Sequence, residues 1–133
     1  MNVFLLIKLY ISTFLVFLGI DAIWLTKIAP TFYKNNIGHL MADKPNLLPV
    51  ALFYIINIFG ILVFAVFPAL NNNSPKTAVL LGALYGLVTY ATYDLTNYAT
   101  LREWPIKVVL VDIAWGIILS ATVSFIAYQI GRN

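Results

Sequence analysis

The sequence predicts an all-α membrane protein, a bundle of four transmembrane helices. Of its 133 residues, 62% are hydrophobic and 10% are charged, whereas a soluble domain carries about 25% charged residues. The apolar residues also form four separate runs, each reaching the ~20 residues needed to span a bilayer. A mean hydropathy of +0.90 agrees with both observations. We expect a single domain covering residues 1–133.

The first two runs predict two helices joined by the longest loop of the chain. The first helix covers about residues 3–29 and ends before Pro30. Its apolar run is longer than the ~7–15 apolar residues of a signal peptide, so we interpret it as a retained membrane helix. The second helix covers about residues 47–70, with Pro49 in the first turn, where a missing N–H is tolerated.

The last two runs predict a third helix over about residues 76–101 and a fourth over about residues 105–130. Ser74, in a turn-rich cluster, is the expected N-cap of the third helix. Pro105 suits the first turn of the fourth helix, and Gly131 marks its end. No run alternates with period two and an open sheet cannot cross lipid, so we expect no strand.

Positive charge is divided unevenly between the two ends of the predicted bundle. The loops joining helices 1–2 and 3–4, with the adjoining helix ends, hold Lys27, Lys34, Lys44, Arg102 and Lys107. The opposite end holds Lys76, Arg132 and, within the first helix, Lys8. The positive-inside rule therefore predicts that both loops are cytoplasmic and both termini are outside. Because the basic residues do not gather on one face, we expect no nucleic-acid partner.

Composition excludes several classes of site. The chain has no cysteine and one histidine, which excludes disulfides, thiol catalysis and His-rich or Cys-ligated metal sites. We expect no metal site. No catalytic or dinucleotide-binding motif is present, so the sequence names no cofactor and leaves enzymatic activity open. His39, in the first loop, is either a solvated loop residue or a proton relay and lid over the acids described next.

Three acidic residues lie inside predicted helices: Asp21, Asp94 and Asp112. At a rise of ~1.5 Å per residue, each lies about 10–13 Å from the membrane face that holds the two basic loops. Three separate helices thus place an acid at one depth, which predicts that the acids converge in one polar site. Carboxylates that close cannot all ionise cheaply, so at least one should hold a proton or face a cation.

Each acid has a hydrogen-bond donor three residues later on its own helix, where side chains at i and i+3 are neighbours. Two further tyrosines lie on the same face of the third helix as its acid. The candidate ligand-binding residues are therefore Asp21, Trp24, Tyr90, Tyr93, Asp94, Asn97, Asp112 and Trp115, with His39 from the first loop. The alternative is that each acid only satisfies hydrogen bonds between helices.

Small residues recur every four positions on helices 3 and 4. Gly82 and Gly86 follow this spacing, as do Gly116, Ser120 and Ser124. Such ladders let two helices approach closely in a membrane. We expect helices 3 and 4 to pack tightly in the half away from the acids and to open around them.

Several segments resemble a bacterial membrane-protein family, the domain of unknown function 2177. They are Tyr-Asp-Leu-Thr-Asn-Tyr-Ala-Thr-Leu at 93–101, Trp-Pro at 104–105, Val-Asp-Ile-Ala-Trp-Gly at 111–116, Asp21-x-x-Trp24, Phe32-Tyr33 and Gly38-His39-Leu40. The resemblance covers nearly the whole chain. It implies four membrane helices and a location in the bacterial inner membrane, but no activity and no functional residues.

The function predicted from the residues themselves is an acid-lined cavity that binds a cation, a proton or an amphiphilic ligand, in support of transport or sensing. Aromatic side chains beside carboxylates suit organic cations. Two alternatives stay open at this point: a membrane enzyme acting on a lipid or quinone, and a structural or accessory subunit. Membrane lipids are expected partners, and the sequence leaves the oligomeric state open, a homo-oligomer included.

Overall fold

The computed structural model describes all 133 residues and contains five helices and no strand. The helices are α1 (Val3–Lys27), α2 (Ala29–Ile37), α3 (Leu47–Asn71), α4 (Pro75–Thr100) and α5 (Ile106–Gly131). All but α2 are long and apolar enough to cross a membrane. The predicted all-α class with four spanning helices is confirmed, and each predicted helix end lies within two residues of the observed one.

Side-chain caps explain where three of the long helices begin. Asn2, Asn46 and Ser74 each accept a hydrogen bond from a backbone N–H two or three residues further on, at 2.9, 3.3 and 3.1 Å. A capping oxygen satisfies one of the N–H groups that a helix start leaves unpaired. Ser74 is therefore the N-cap that the sequence predicts.

The short helix α2 is the main departure from the predicted elements. We expected Pro30 to end the first helix, but α1 ends at Lys27 and Pro30 lies in the first turn of α2. Proline is tolerated there because the first N–H groups of a helix have no partner within it. Phe32, Tyr33 and Ile37 of α2 pack on a buried cluster of Trp104, Val108 and Val109. This packing places α2 against the N-terminal end of α5.

Helix α3 contains a π-helical turn at Leu62–Val66, where the Phe67 N–H bonds to the carbonyl of Leu62. Pro68 follows this turn. Proline lacks an N–H and its ring clashes with the carbonyl four residues earlier, so a regular α-helix is strained at that position. The wider turn accommodates the proline without ending the helix.

Helices α4 and α5 form the closest helix pair, as the small-residue ladders predict. A Cβ built on Gly82 would lie 2.6 Å from Ser124 Oγ and 2.7 Å from the Ser120 carbonyl oxygen. A Cβ on Gly86 would collide with the backbone of Gly116. Only glycine therefore allows the two backbones to approach this closely.

Helix α3 contacts different helices along its length. Near its middle, Tyr85 of α4 donates to Asn57 Oδ1 at 3.1 Å. Nearer the two basic loops, Tyr54 of α3 packs against α1, and its ring centre lies 5.5 Å from that of Phe17. Helix α3 thus diverges from α4 towards the loops, which leaves a space between them. Only 29 of the 133 residues are buried, so most apolar side chains point outward, as lipid-facing residues do.

Candidate functional site

A cavity of about 570 Å³ lies at the loop end of the bundle, in the space left by α3 and α4. This volume falls within the ~300–1,000 Å³ of small-molecule sites. Phe53 of α3 and Tyr93 of α4, which both line it, are 49% and 58% exposed, so the cavity is open where these two helices diverge. The lining residues are Asp21, Trp24, Leu25, Tyr33, Ile37, Phe53, Thr89, Tyr90, Tyr93, Trp104, Asp112 and Trp115.

Asp21 of α1 is held by donors from two other helices. Its Oδ2 accepts from the Tyr54 hydroxyl at 2.6 Å, and its Oδ1 accepts from Trp115 Nε1 at 3.3 Å. Asp21 is only 7% exposed, but it still lines the cavity. Donors at both oxygens fix the position of the Asp21 carboxyl group at the cavity wall.

Asp94 and Asp112 form a carboxyl pair between α4 and α5. The two side chains lie within hydrogen-bonding reach of each other. Asp94 is fully buried; its Oδ1 accepts from Trp104 Nε1 at 3.3 Å, whereas its Oδ2 receives no hydrogen bond from a donor group of the protein. Two carboxylates ~4 Å apart repel by about 4 kcal/mol at an effective dielectric near 20. A proton between the two carboxyl groups would replace this repulsion with a hydrogen bond.

Tyr33 connects α2 to this pair. Its hydroxyl donates to Asp112 Oδ1, and its ring lines the cavity. Burial, followed by the hydrogen bond to Asp112, raises the pKa of the Tyr33 hydroxyl above its ordinary value. The hydroxyl therefore stays a donor throughout the physiological pH range. Through it, α2 is hydrogen-bonded to an acid that lines the cavity.

No basic residue forms an ion pair with any of the three acids. The single ion pair of the chain joins His39 and Glu103 at 3.0 Å, with side chains 51% and 70% exposed. Lys27 is exposed, and exposed Lys107 lies with its Nζ 6.0 Å from the centre of the Phe32 ring, outside the cavity. None of the three acids is thus paired with a basic side chain of the protein.

Aromatic rings form the cavity wall beside Asp21. Trp24 and Trp115 stack between α1 and α5, with ring centres 4.6 Å apart and planes 9° from parallel. Tyr93 packs edge-on against Trp104 at 6.0 Å. The negative face of an aromatic ring attracts cations, and indole does so best. The cavity thus combines carboxyl groups with aromatic rings, two kinds of side chain that attract cations.

The structure brings most of the candidate residues predicted from the sequence to this cavity, though not all. Asp94 lies behind it, against Asp112. Asn97 and His39 do not line it, and His39 instead pairs with Glu103 at the surface. The residues that do line it are Asp21, Trp24, Tyr90, Tyr93, Asp112 and Trp115.

The pairing of each acid with a donor on its own helix is not observed. The two indoles stack across the α1–α5 contact, and this arrangement directs the Trp115 N–H to Asp21 rather than to Asp112. Asp112 is bonded by Tyr33 and Asp94 by Trp104. Spacing within one helix could not predict these partners, because they come from other elements.

Three of the donors, Tyr33, Tyr54 and Trp104, are absent from the sequence-predicted set. One signal could have found Tyr54: it is the only tyrosine in the second predicted helix, and it lies about two turns from the loop end, near the depth of the acids. Tyr33 and Trp104 lie in segments that we treated as loops, so counting depth along membrane helices could not reach them.

Comparison with known proteins gives one match. A family model described as a predicted membrane protein (DUF2177) matches residues 6–129, which is nearly the whole chain. The resemblance seen in the sequence is thereby confirmed. No curated protein and no solved structure matches the chain.

Proposed function

The chain belongs to the family of predicted membrane proteins called domain of unknown function 2177, and we propose that it binds a monovalent organic cation with apolar groups. The ligand occupies the cavity between α1, α3, α4 and α5. Binding there serves transport or sensing of that cation. One observation carries the proposal: Asp21 and Asp112 line an aromatic cavity, and no basic side chain pairs with either of them.

Asp21 supplies the charge that attracts the cation. A partly buried carboxylate without a counter-ion is costly, and the two hydrogen bonds that Asp21 accepts offset only part of that cost. A cation in the cavity supplies the missing charge. Because the cavity wall excludes much of the water around that charge, the attraction is stronger there than at an exposed carboxylate.

The shape of the cavity favours a cation that also carries apolar groups. Nine of its twelve lining residues are hydrophobic, so a small hydrated metal ion would leave most of the wall without a partner. The open side between Phe53 and Tyr93 lies along the spanning part of α3 and α4. An amphiphilic ligand can therefore enter from the lipid. The positive-inside rule assigns this end of the bundle to the cytoplasmic side.

The experiment measures binding of tetraphenylphosphonium to the protein in lipid nanodiscs, with tetraphenylborate as a probe of the same shape and opposite charge. We expect saturable binding of the cation only. Asp21→Asn should weaken it at least about tenfold, which corresponds to ~1.4 kcal/mol. The matched control is Asp43→Asn, which removes an exposed loop acid and should leave the affinity unchanged.

Two results would contradict the proposal. Equal binding of the cation by wild type and Asp21→Asn would show that the acid takes no part. Uptake of both probes at the level of empty nanodiscs would show partitioning into lipid alone. If Asp21→Asn lowers the free energy of unfolding while cation binding is absent in the wild type, the acids serve only to join helices.

A further inference from the structure

We propose that Asp94 and Asp112 form a proton-binding site, with one proton held between the two carboxyl groups, and that a cation entering the neighbouring cavity displaces it. The shared proton is inferred from the geometry of the pair alone. Its displacement by a cation rests on the proposed function. The site differs from the cation-binding surface at Asp21, because Asp94 is fully buried and does not line the cavity.

The unpartnered oxygen of Asp94 points to a proton. Asp94 Oδ2 is buried and receives no hydrogen bond from a donor group of the protein, while the Asp112 carboxyl lies within hydrogen-bonding reach. Both groups are acceptors when ionised, so no hydrogen bond can form between them without a proton. One proton satisfies the Asp94 oxygen and makes the contact favourable. The pair then titrates as a unit rather than as two independent acids.

The groups around the pair leave this proton as its only positive charge. Tyr33 of α2 donates to Asp112 Oδ1, and Trp104 donates to Asp94 Oδ1. No lysine, arginine or histidine forms an ion pair with either acid, and Lys107, the basic residue nearest along α5, is exposed and lies at Phe32. The titratable groups beside the pair are Tyr33 from α2 and Tyr90 and Tyr93 from α4. Asp21 from α1, which accepts from Tyr54 of α3, lines the same cavity as Asp112.

Displacement follows from where Asp112 lies. Asp112 belongs to the pair and also lines the cavity, so a cation beside it stabilises its ionised form. When one monovalent cation binds, the O–H bond of the shared proton breaks and the proton leaves to water. The electron pair stays on the carboxylate, so the charge of the site is conserved. Two ligands that compete for one negative charge weaken each other's binding by the same factor.

The test is infrared difference spectroscopy of the reconstituted protein at neutral pH, combined with proton counting in a weakly buffered suspension. We expect a protonated-carboxyl C=O band that disappears in Asp94→Asn and in Asp112→Asn and stays in Asp21→Asn and Asp43→Asn. Tyr33→Phe keeps both acids but removes the donor to Asp112, and it should shift the band. This variant provides a readout that does not depend on whether the acid variants fold. Tetraphenylphosphonium should bleach the band and release about one proton per cation bound.

Each outcome is decisive. Absence of the band in the wild type, or its persistence in both Asp94→Asn and Asp112→Asn, overturns the shared proton. A band that is unchanged while tetraphenylphosphonium binds overturns the displacement and leaves the proposed function intact. Absence of binding overturns both the proposed function and the displacement, while the band still decides whether the pair holds a proton.

Discussion

Replacing Gly86 with alanine tests whether the close approach of α4 and α5 organises the bundle. The added Cβ would collide with the Gly116 carbonyl oxygen and would lie 2.7 Å from the Gly116 carbonyl carbon and 3.0 Å from Ile117 Cα. Carbon atoms in favourable contact are ~3.5–4.0 Å apart. The atoms in the way belong to the backbone, so no side chain can rotate to make room. The two helices must separate by roughly 1 Å to restore that distance.

The expected magnitude is the difference between two effects. Overpacking of this kind costs typically ~1–3 kcal/mol, and a backbone collision belongs at the upper end. Alanine regains about 1 kcal/mol of helix propensity relative to glycine. We therefore expect Gly86→Ala to lower the free energy of unfolding by about 1–2 kcal/mol, the difference of those two terms.

Gly19→Ala is the matched control, because it makes the same chemical change in another spanning helix. A Cβ built on Gly19 has no atom within 4 Å, so only the propensity term applies and the stability should stay equal or rise. The assay is unfolding in mixed micelles with increasing dodecyl sulfate, followed by circular dichroism. If Gly86→Ala and Gly19→Ala unfold at the same detergent fraction, the argument that glycine is required between α4 and α5 is wrong.

Two further predictions concern the Asp21 network and the orientation of the chain. Tyr54→Phe removes the 2.6 Å hydrogen bond to a buried oxygen of the Asp21 carboxyl group. It should lower the free energy of unfolding by about 1–3 kcal/mol, the usual penalty for an unsatisfied buried group. The same dodecyl sulfate titration measures this change, and an unchanged midpoint would show that water replaces the hydroxyl. Because the loops joining α1 to α3 and α4 to α5 carry the excess of lysine and arginine, reporters fused to either terminus should score as non-cytoplasmic. A C-terminal fluorescent fusion that is active in the cytoplasm would reverse the orientation.

The sequence predicted the long helices closely because the relevant physics is local. A backbone in lipid must satisfy its own hydrogen bonds, so each long apolar run has to be helical whatever lies beside it. Prolines and a capping serine placed the helix ends to within two residues. The α4–α5 contact was also predictable, since Gly82 and Gly86 repeat at helical spacing opposite a similar ladder.

The local rules failed between the first two spans. That segment has mixed composition and no membrane-length run, so we predicted a loop there rather than a helix. Its helical state depends on tertiary packing: Phe32, Tyr33 and Ile37 gain a buried surface only when Trp104 and Val108 are already in place. A nine-residue helix is too short to be stable in isolation.

The sequence by itself determined that three acids lie at one depth in three helices, because rise per residue is a property of a single helix. Only the tertiary structure decided what each acid contacts. Asp21 accepts from α3 and α5, Asp112 from α2, and Asp94 from the turn before α5. Hydrogen-bond partners depend on how helices rotate and cross, and that depends on side-chain packing over the whole bundle, which no spacing within one helix contains.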